Sequence, residues 1–286
     1  MASTEIHGGQ VVYDLLGPPD GQPIVLTPGG RFSKDVPGLR PLAEALAQGG
    51  LRVLLWDRPN CGASDVQFYG RSESHMRADT LAELLTRLDL APAVIAGGSG
   101  GARDSLLTVM RHPEVASKAI AWSIVGGVFS TLNLAGVYVL PNINTARILG
   151  MEGVAALPEW QALIEANPRN SERLLALEPD EFVTVMLRWL NAFVPKPGQT
   201  IPGVEDEEFA QIRVPTMIIR GGENDLDHPK RTSMEVHCLI KDSILVEPPW
   251  PEDAWEQAVR ASARGTGNIF DPWVRAAPLI LDFALK

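Results

Sequence analysis

Ala93-Val94-Ile95-Ala96-Gly97-Gly98-Ser99-Gly100-Gly101 joins a short apolar run to a glycine cluster split by one serine. A continuous apolar run that ends in glycine is what a strand buried on both faces of a sheet requires. Downstream, Leu106, Leu107 and Met110 recur at helical spacing. Ser99 therefore stands where a strand turns into a helix. Gly97 and Gly101, two residues to either side, allow a turn sharp enough to lift the hydroxyl clear of the sheet. In that setting Gly-x-Ser-x-Gly presents a nucleophile, and the Gly100 amide at the helix N-terminus points into the same space, where it can stabilise an oxyanion. A phosphate loop would need Gly-Lys-Ser/Thr and a dinucleotide loop Gly-x-Gly-x-x-Gly; neither occurs here.

Working outward, the same kind of run recurs at Ile24-Val25-Leu26, Val53-Leu54-Leu55-Trp56, Ala119-Ile120-Ala121-Trp122, Met217-Ile218-Ile219 and Ile244-Leu245-Val246. Amphipathic helices fall between them. Leu39, Leu42, Ala43 and Leu46 lie at i, i+3, i+4, i+7, as do Leu81, Leu84, Leu85 and Leu88. This alternation predicts an α/β fold: a mostly parallel twisted sheet with helices on both faces. A hairpin is predicted ahead of it, from Glu5-Ile6-His7 and Gln10-Val11-Val12-Tyr13 around Gly8-Gly9. Trp160, Leu163 and Ile164, then Leu174 and Leu175, then Phe182, Met186, Trp189, Leu190 and Phe193 mark three or four helices without strands. The expected division is a core of residues 1–125 and 213–286 with a helical cap over residues 126–212.

The chain of 286 residues is 45% hydrophobic and 21% charged, enough apolar material for a real core. Its net charge of −10 repels a phosphate backbone or an anionic membrane, so neither nucleic acid nor membrane is expected as a partner. The uncharged stretch 119–146 is interrupted by Gly126-Gly127, Ser130-Thr131 and Pro141-Asn142, and reads as a buried strand followed by a pocket-lining segment rather than a membrane span. Two cysteines, Cys61 and Cys238, make neither a disulfide framework nor a four-cysteine zinc site. No basic, apolar leader opens the sequence, and a cytoplasmic location is expected. No metal site and no cofactor are predicted; acidic runs such as Glu205-Asp206-Glu207-Glu208 read as solvated faces.

Three further stretches carry candidate chemistry. Thr27-Pro28-Gly29-Gly30-Arg31 follows a strand, and its glycine pair lets backbone approach a ligand, with Gly30 N–H as a second oxyanion donor. Trp56-Asp57-Arg58-Pro59-Asn60-Cys61-Gly62-Ala63-Ser64 follows the next strand. With it the chain resembles the α/β-hydrolase superfamily over most of its length. That family shows His-Gly after one strand, Asp-x-x-Gly-x-Gly-x-Ser after the next and Gly-x-Ser-x-Gly after the third. Gly62 and Ser64 match the second motif, Asn60 stands at its first glycine, and Pro28 stands at the histidine of the first. Gly-Gly-Ser and the Trp-Asp run also resemble the prolyl iminopeptidase branch, without that branch's Gly-Gly-Pro-Gly loop. The resemblance implies a serine nucleophile and a triad acid in Gly-x-x-Asp after a late strand, which Gly222-Glu223-Asn224-Asp225 matches at Asp225.

The family's histidine follows the last strand, and here none follows Val246. His7 falls in the hairpin, His112 at a helix end, His75 ahead of a helix, and His237 on a helical face with Met234 and Cys238, as packed core. His228 alone lies in a loop at the carboxyl edge of the sheet. Three residues from Asp225, it is too near for the usual arrangement, in which acid and base come from neighbouring loops. Two roles stay open for it, general base or pocket wall. The reading is a serine hydrolase with Ser99, Asp225 and His228 as candidate catalytic residues and Gly30 and Gly100 as oxyanion donors. Gly29, Arg31 and Trp189 are candidate substrate contacts. Trp160, Trp189, Phe182, Phe193 and Met186 are expected to wall a pocket for a small, largely apolar ester, amide or ketone. The rival reading is a ligand-binding or catalytically impaired member that keeps the pocket without the triad.

Overall fold

The computed structural model describes residues 1–286. The N-terminal hairpin is β1 (Ala2–Ile6) and β2 (Gly9–Leu16), turning at His7-Gly8. Then follow β3 (Pro23–Thr27), α1 (Leu39–Gln48), β4 (Arg52–Trp56), α2 (Glu73–Arg87), β5 (Ala93–Gly98), α3 (Gly100–Arg111) and β6 (Ala116–Trp122). Five helices come next: α4 (Gly127–Tyr138), α5 (Leu140–Ala155), α6 (Pro158–Ala166), α7 (Arg169–Leu175) and α8 (Pro179–Leu190). The chain returns to the sheet with β7 (Thr216–Ile219), α9 (Lys230–Leu239), β8 (Ile244–Val246), α10 (Ala254–Ala263) and α11 (Ala277–Leu285).

The eight strands form one sheet in the order β1-β2-β4-β3-β5-β6-β7-β8, antiparallel through β1, β2 and β4 and parallel from there on. Every apolar run read as a strand is one. Side chains alternate faces along each strand. Val25, Leu54, Ile95 and Ala121 pack under α2 and α3 in one core. Ile24, Leu26, Val53, Leu55, Val94 and Ala96 pack under α1 and α11 in the other. Two-sided burial is why these runs are continuous rather than alternating. At the sheet edge β8 departs from this, with Ile244 exposed and its neighbours half-buried.

Helices between β6 and β7 number five, against three or four expected. The additional pair, α4 and α5, hides from periodicity because α4 is apolar on all sides, with Val128, Phe129 and Leu132 exposed while Leu134 and Ala135 turn inward. These helices share a core of their own, built on Trp160, Leu174, Phe182, Met186 and Trp189. No helix is long and apolar enough to cross a membrane.

Candidate active site

Ser99 sits between β5 and α3 with φ 57° and ψ −128°, a left-handed conformation that few side-chain-bearing residues adopt. The glycines around it are required by close approach. A Cβ on Gly97 would lie 2.4 Å from the Gly101 carbonyl oxygen, and one on Gly101 2.2 Å from that of Thr27. The turn therefore closes only with hydrogen at both positions.

Asp225 and His228 hang from the loop after β7. Asp225 Oδ1 accepts the backbone N–H groups of Asp227 (2.9 Å) and His228 (2.7 Å), so the aspartate folds the loop around its own side chain. That turn brings the imidazole back over the carboxylate, with Nδ1 3.1 Å from Asp225 Oδ2. On the other side His228 Nε2 lies 2.9 Å from Ser99 Oγ. The tautomer that satisfies both contacts carries its proton on Nδ1 and accepts the serine hydroxyl at Nε2. A three-residue separation thus does not prevent acid and base from pairing, contrary to the expectation from spacing, because the turn at Asp225 supplies the reversal that a second loop supplies elsewhere.

Where the family pattern calls for histidine, after β8, this chain brings Trp255 from the first turn of α10. Its ring packs edge-on against His228, centroids 4.3 Å apart at 82°, while its Nε1 donates to Asp227 Oδ2 at 2.9 Å. The other histidines are elsewhere. His75 lies inside α2, not ahead of it, with Nδ1 2.8 Å from the capping Ser72 hydroxyl. His237 is only half-buried, beside exposed Met234 and Cys238, and bonds Ser243 Oγ rather than packing in a core.

The loop after β3 passes directly over the serine. A Gly100 Cβ would lie 3.2 Å from Gly30 N, so the two amides proposed as oxyanion donors are neighbours. Gly100 N–H, at the start of α3, has no intrahelical acceptor. Gly29 does not face the cavity. It lies against the serine, where a Cβ would come within 2.6 Å of Ser99 Cβ, and its requirement is closeness rather than substrate contact. Arg58, which spacing alone did not single out, holds this loop in place. It is fully buried; Nη2 donates to the carbonyls of Gly29 and Gly30 (both 2.9 Å) and Phe32 (3.3 Å), and Nη1 to Asp104 at 2.9 Å. Asp57 beside it is structural. Its carboxylate accepts the amides of Lys34 (2.7 Å) and Ala63 (3.0 Å), and burial pushes its pKa up.

A cavity of ≈ 170 Å³ opens on Ser99, Gly30, Gly100 and His228. Its wall corrects the expected one. Of the five aromatic and methionine side chains anticipated, only Phe193 reaches it; Trp160, Trp189, Phe182 and Met186 fill the core of α5–α8. Because these side chains repeat at helical spacing, they pack among their own helices first. The wall instead carries Ser130, Asn133, Leu134 and Tyr138 from α4, with Arg31, Glu73, Arg77 and Arg103. Although burial opposes its ionisation, the guanidinium groups of Arg31 and Arg77 and the amide of Asn60 hold Glu73 at a pKa of about 2. A larger open groove of ≈ 1090 Å³ runs along α9, away from the serine. No group of three His, Cys, Asp or Glu side chains converges as a metal ion would need.

A strand–Ser–helix turn, an imidazole on the serine and a carboxylate on the imidazole, at the carboxyl edge of a parallel sheet, are the parts of an α/β-hydrolase site. The model of the alpha/beta hydrolase family matches residues 24–276, and the chain belongs to that family. Similar solved structures include the enol-lactonase from Burkholderia xenovorans LB400 (20% identity, all of both chains, TM-score 0.63). Another is the esterase RhEst1 from Rhodococcus sp. ECU1013 (18% identity, 99% of this chain and 98% of that one, TM-score 0.60). Est816, an N-acyl homoserine lactone degrading enzyme, is similar at 18% identity over 97% of each chain, with a TM-score of 0.59. At these identities the likeness is one of fold. No curated protein sequence matches the chain.

Proposed function

We propose that this α/β-hydrolase cleaves a small ester, amide or ketone through an acyl-enzyme on Ser99, with His228 as general base and Asp225 as its partner. The observation that carries the reading is the 2.9 Å contact between Ser99 Oγ and His228 Nε2. For an ester, the serine proton passes to Nε2 as Oγ bonds the carbonyl carbon, and the displaced electron pair on oxygen is met by the Gly30 and Gly100 amides. Asp225 stabilises the imidazolium without taking its proton. The C–O bond then breaks, and the leaving alkoxide takes the proton from Nε2. A water repeats the sequence on the acyl-enzyme, giving its proton to Nε2 as it attacks, and the acid departs as Oγ recovers that proton.

Residues 126–212 serve as the cap of this site, with α4 and Phe193 closing the cavity over the serine. At ≈ 170 Å³ the cavity suits a small acyl group. The test is labelling with a fluorophosphonate, which reports an activated serine without requiring the natural substrate. Ser99 is expected to be modified in the parent, and Ser99→Ala to lose both the label and turnover of p-nitrophenyl acetate. Equal turnover by parent and variant refutes the reading.

A further inference from the structure

Three guanidinium groups line the cavity, those of Arg31, Arg77 and Arg103, with Arg58 buried behind the loop after β3, and all but Arg103 are matched by a carboxylate. Arg31 and Arg77 share Glu73 (3.2 and 3.1 Å), and Arg58 holds Asp104 (2.9 Å). Arg103 has no carboxylate within ion-pair distance, although it is only 8% exposed. An unpaired buried charge is costly, and this one lies four residues into α3, where the helix dipole also opposes a cation. Burial, set against the nearby Asp104 carboxylate, pulls its pKa below the usual arginine value. The guanidinium is nevertheless held firmly. Nε donates to Ser74 Oγ at 2.8 Å, and its face lies 5.0 Å from the Phe193 ring centroid. Nη1 and Nη2 donate to no protein group, and Arg103 lines the cavity that opens on Ser99. Asp227, the other carboxylate on that wall besides Glu73, is engaged by Trp255.

We infer that the fork of Arg103 receives an ionised carboxylate carried by the substrate, so that the compound cleaved at Ser99 is a carboxylate-bearing ester such as the half-ester of a small dicarboxylic acid. A planar guanidinium anchored along one edge and one face offers its remaining two donors in the geometry that a carboxylate accepts. Arg103 follows Ser99 by four residues, in the first turns of α3, and both side chains line the same cavity. Because both groups open on one small cavity, the spacer between the scissile carbonyl and the anion is short. The identity of the scissile bond rests on the Ser99 reading; the anion site does not.

The test compares monoethyl glutarate with ethyl pentanoate at pH 8 by alcohol release, with the binding of both esters to Ser99→Ala measured by calorimetry. A charge-assisted pair at Arg103 is expected to favour the half-ester by about 10- to 100-fold in kcat/KM, and Arg103→Gln to bring the two esters within a few-fold of each other. Binding to Ser99→Ala is expected to show the same preference and to lose it in Ser99→Ala/Arg103→Gln. If neither ester is hydrolysed, the assignment of an ester as the scissile bond fails while calorimetry still decides the anion site. A parent that binds and cleaves the neutral ester as well as the charged one overturns the inference, whether or not Arg103→Gln folds. So does a preference that survives Arg103→Gln.

Discussion

Replacing His228 by alanine isolates what the imidazole contributes, because the turn that carries it is held by other atoms. Asp225 Oδ1 keeps both backbone donors, from Asp227 and from residue 228 itself, so the loop stays closed. What is lost is the pair of imidazole hydrogen bonds, to Asp225 Oδ2 and to Ser99 Oγ, and the edge-on contact with Trp255. Together these amount to about 2–3 kcal/mol, a fall of several degrees in Tm for a chain of this size. The effect on rate is much larger. Without the base, Ser99 attacks with no acceptor for its proton and water has none at deacylation, so kcat is expected to fall about 10⁵- to 10⁶-fold. Residual catalysis of about 10³–10⁴ over water remains from the oxyanion donors and binding. Because serine and imidazole act as one unit, Ser99→Ala/His228→Ala should be no slower than either single variant. Stopped-flow release of p-nitrophenol, followed by intact-protein mass spectrometry, separates acylation from deacylation. Added imidazole should partly restore the rate by entering the vacated space. A His228→Ala enzyme within tenfold of the parent in kcat/KM would refute the assignment and require another proton acceptor.

Arg58→Met breaks a fully buried ion pair and is expected to lose about 3–5 kcal/mol in chemical denaturation. It should also slow kcat by about 10²–10³ at little change in KM, because the Gly30 amide loses its fixed position; an unchanged kcat counts against the donor role. Trp255→Leu removes the ring that backs the imidazole and should lower kcat more than Trp255→Phe, which keeps that ring; equal rates in the two would mean the packing positions nothing. His75 gives a pH signature of its own. Burial and the positive charges of Arg111, Arg71 and Arg103 depress its pKa from 6.5 to about 4. Between those values the unfolded chain binds a proton that the folded one refuses. His75's contribution is therefore fully present above pH 6.5 and is lost as pH falls toward 4, by about 3 kcal/mol in all. Urea denaturation of the parent and His75→Gln at pH 7 and pH 4.5 should show the variant losing less over that interval.

The parallel part of the sheet was legible in the sequence because β3 to β7 are buried on both faces over most of their length and so read as continuous apolar runs. The serine turn was legible because glycine is required on both sides of it. Asp225 could be singled out as the candidate acid from its place after a strand, and the structure sets it beside His228. His228 could be found but not assigned, since separation along the chain says nothing of a side chain that bends the backbone around itself. The cavity wall was misread for a related reason. Trp160, Trp189, Phe182 and Met186 carry the strongest helical periodicity, and periodicity reports burial between helices rather than exposure to a ligand. Arg103, whose position matters most for the inferred anion, sits four residues after the serine inside an otherwise ordinary amphipathic pattern.

Asp225 and His228 are tethered to β7, which is flanked by β6 and β8 and hydrogen-bonded on both sides. β8, by contrast, is a three-residue margin whose outer side has no neighbour. Sheet margins open at lower free energy than interior strands, and a base carried beyond such a margin would be displaced whenever it frayed. Here fraying of β8 and α10 takes away the indole behind the imidazole and the Glu247 and Glu252 contacts to Arg220 and the Glu223 amide, but neither Asp225 nor His228 itself. The proposed proton-transfer chain runs between two interior strands, β5 and β7, with β6 between them. Amide exchange in β8 and α10 can therefore accelerate well before the Ser99–His228–Asp225 alignment is disturbed, and loss of activity on mild heating should track the opening of β7 rather than the earlier loosening of the margin.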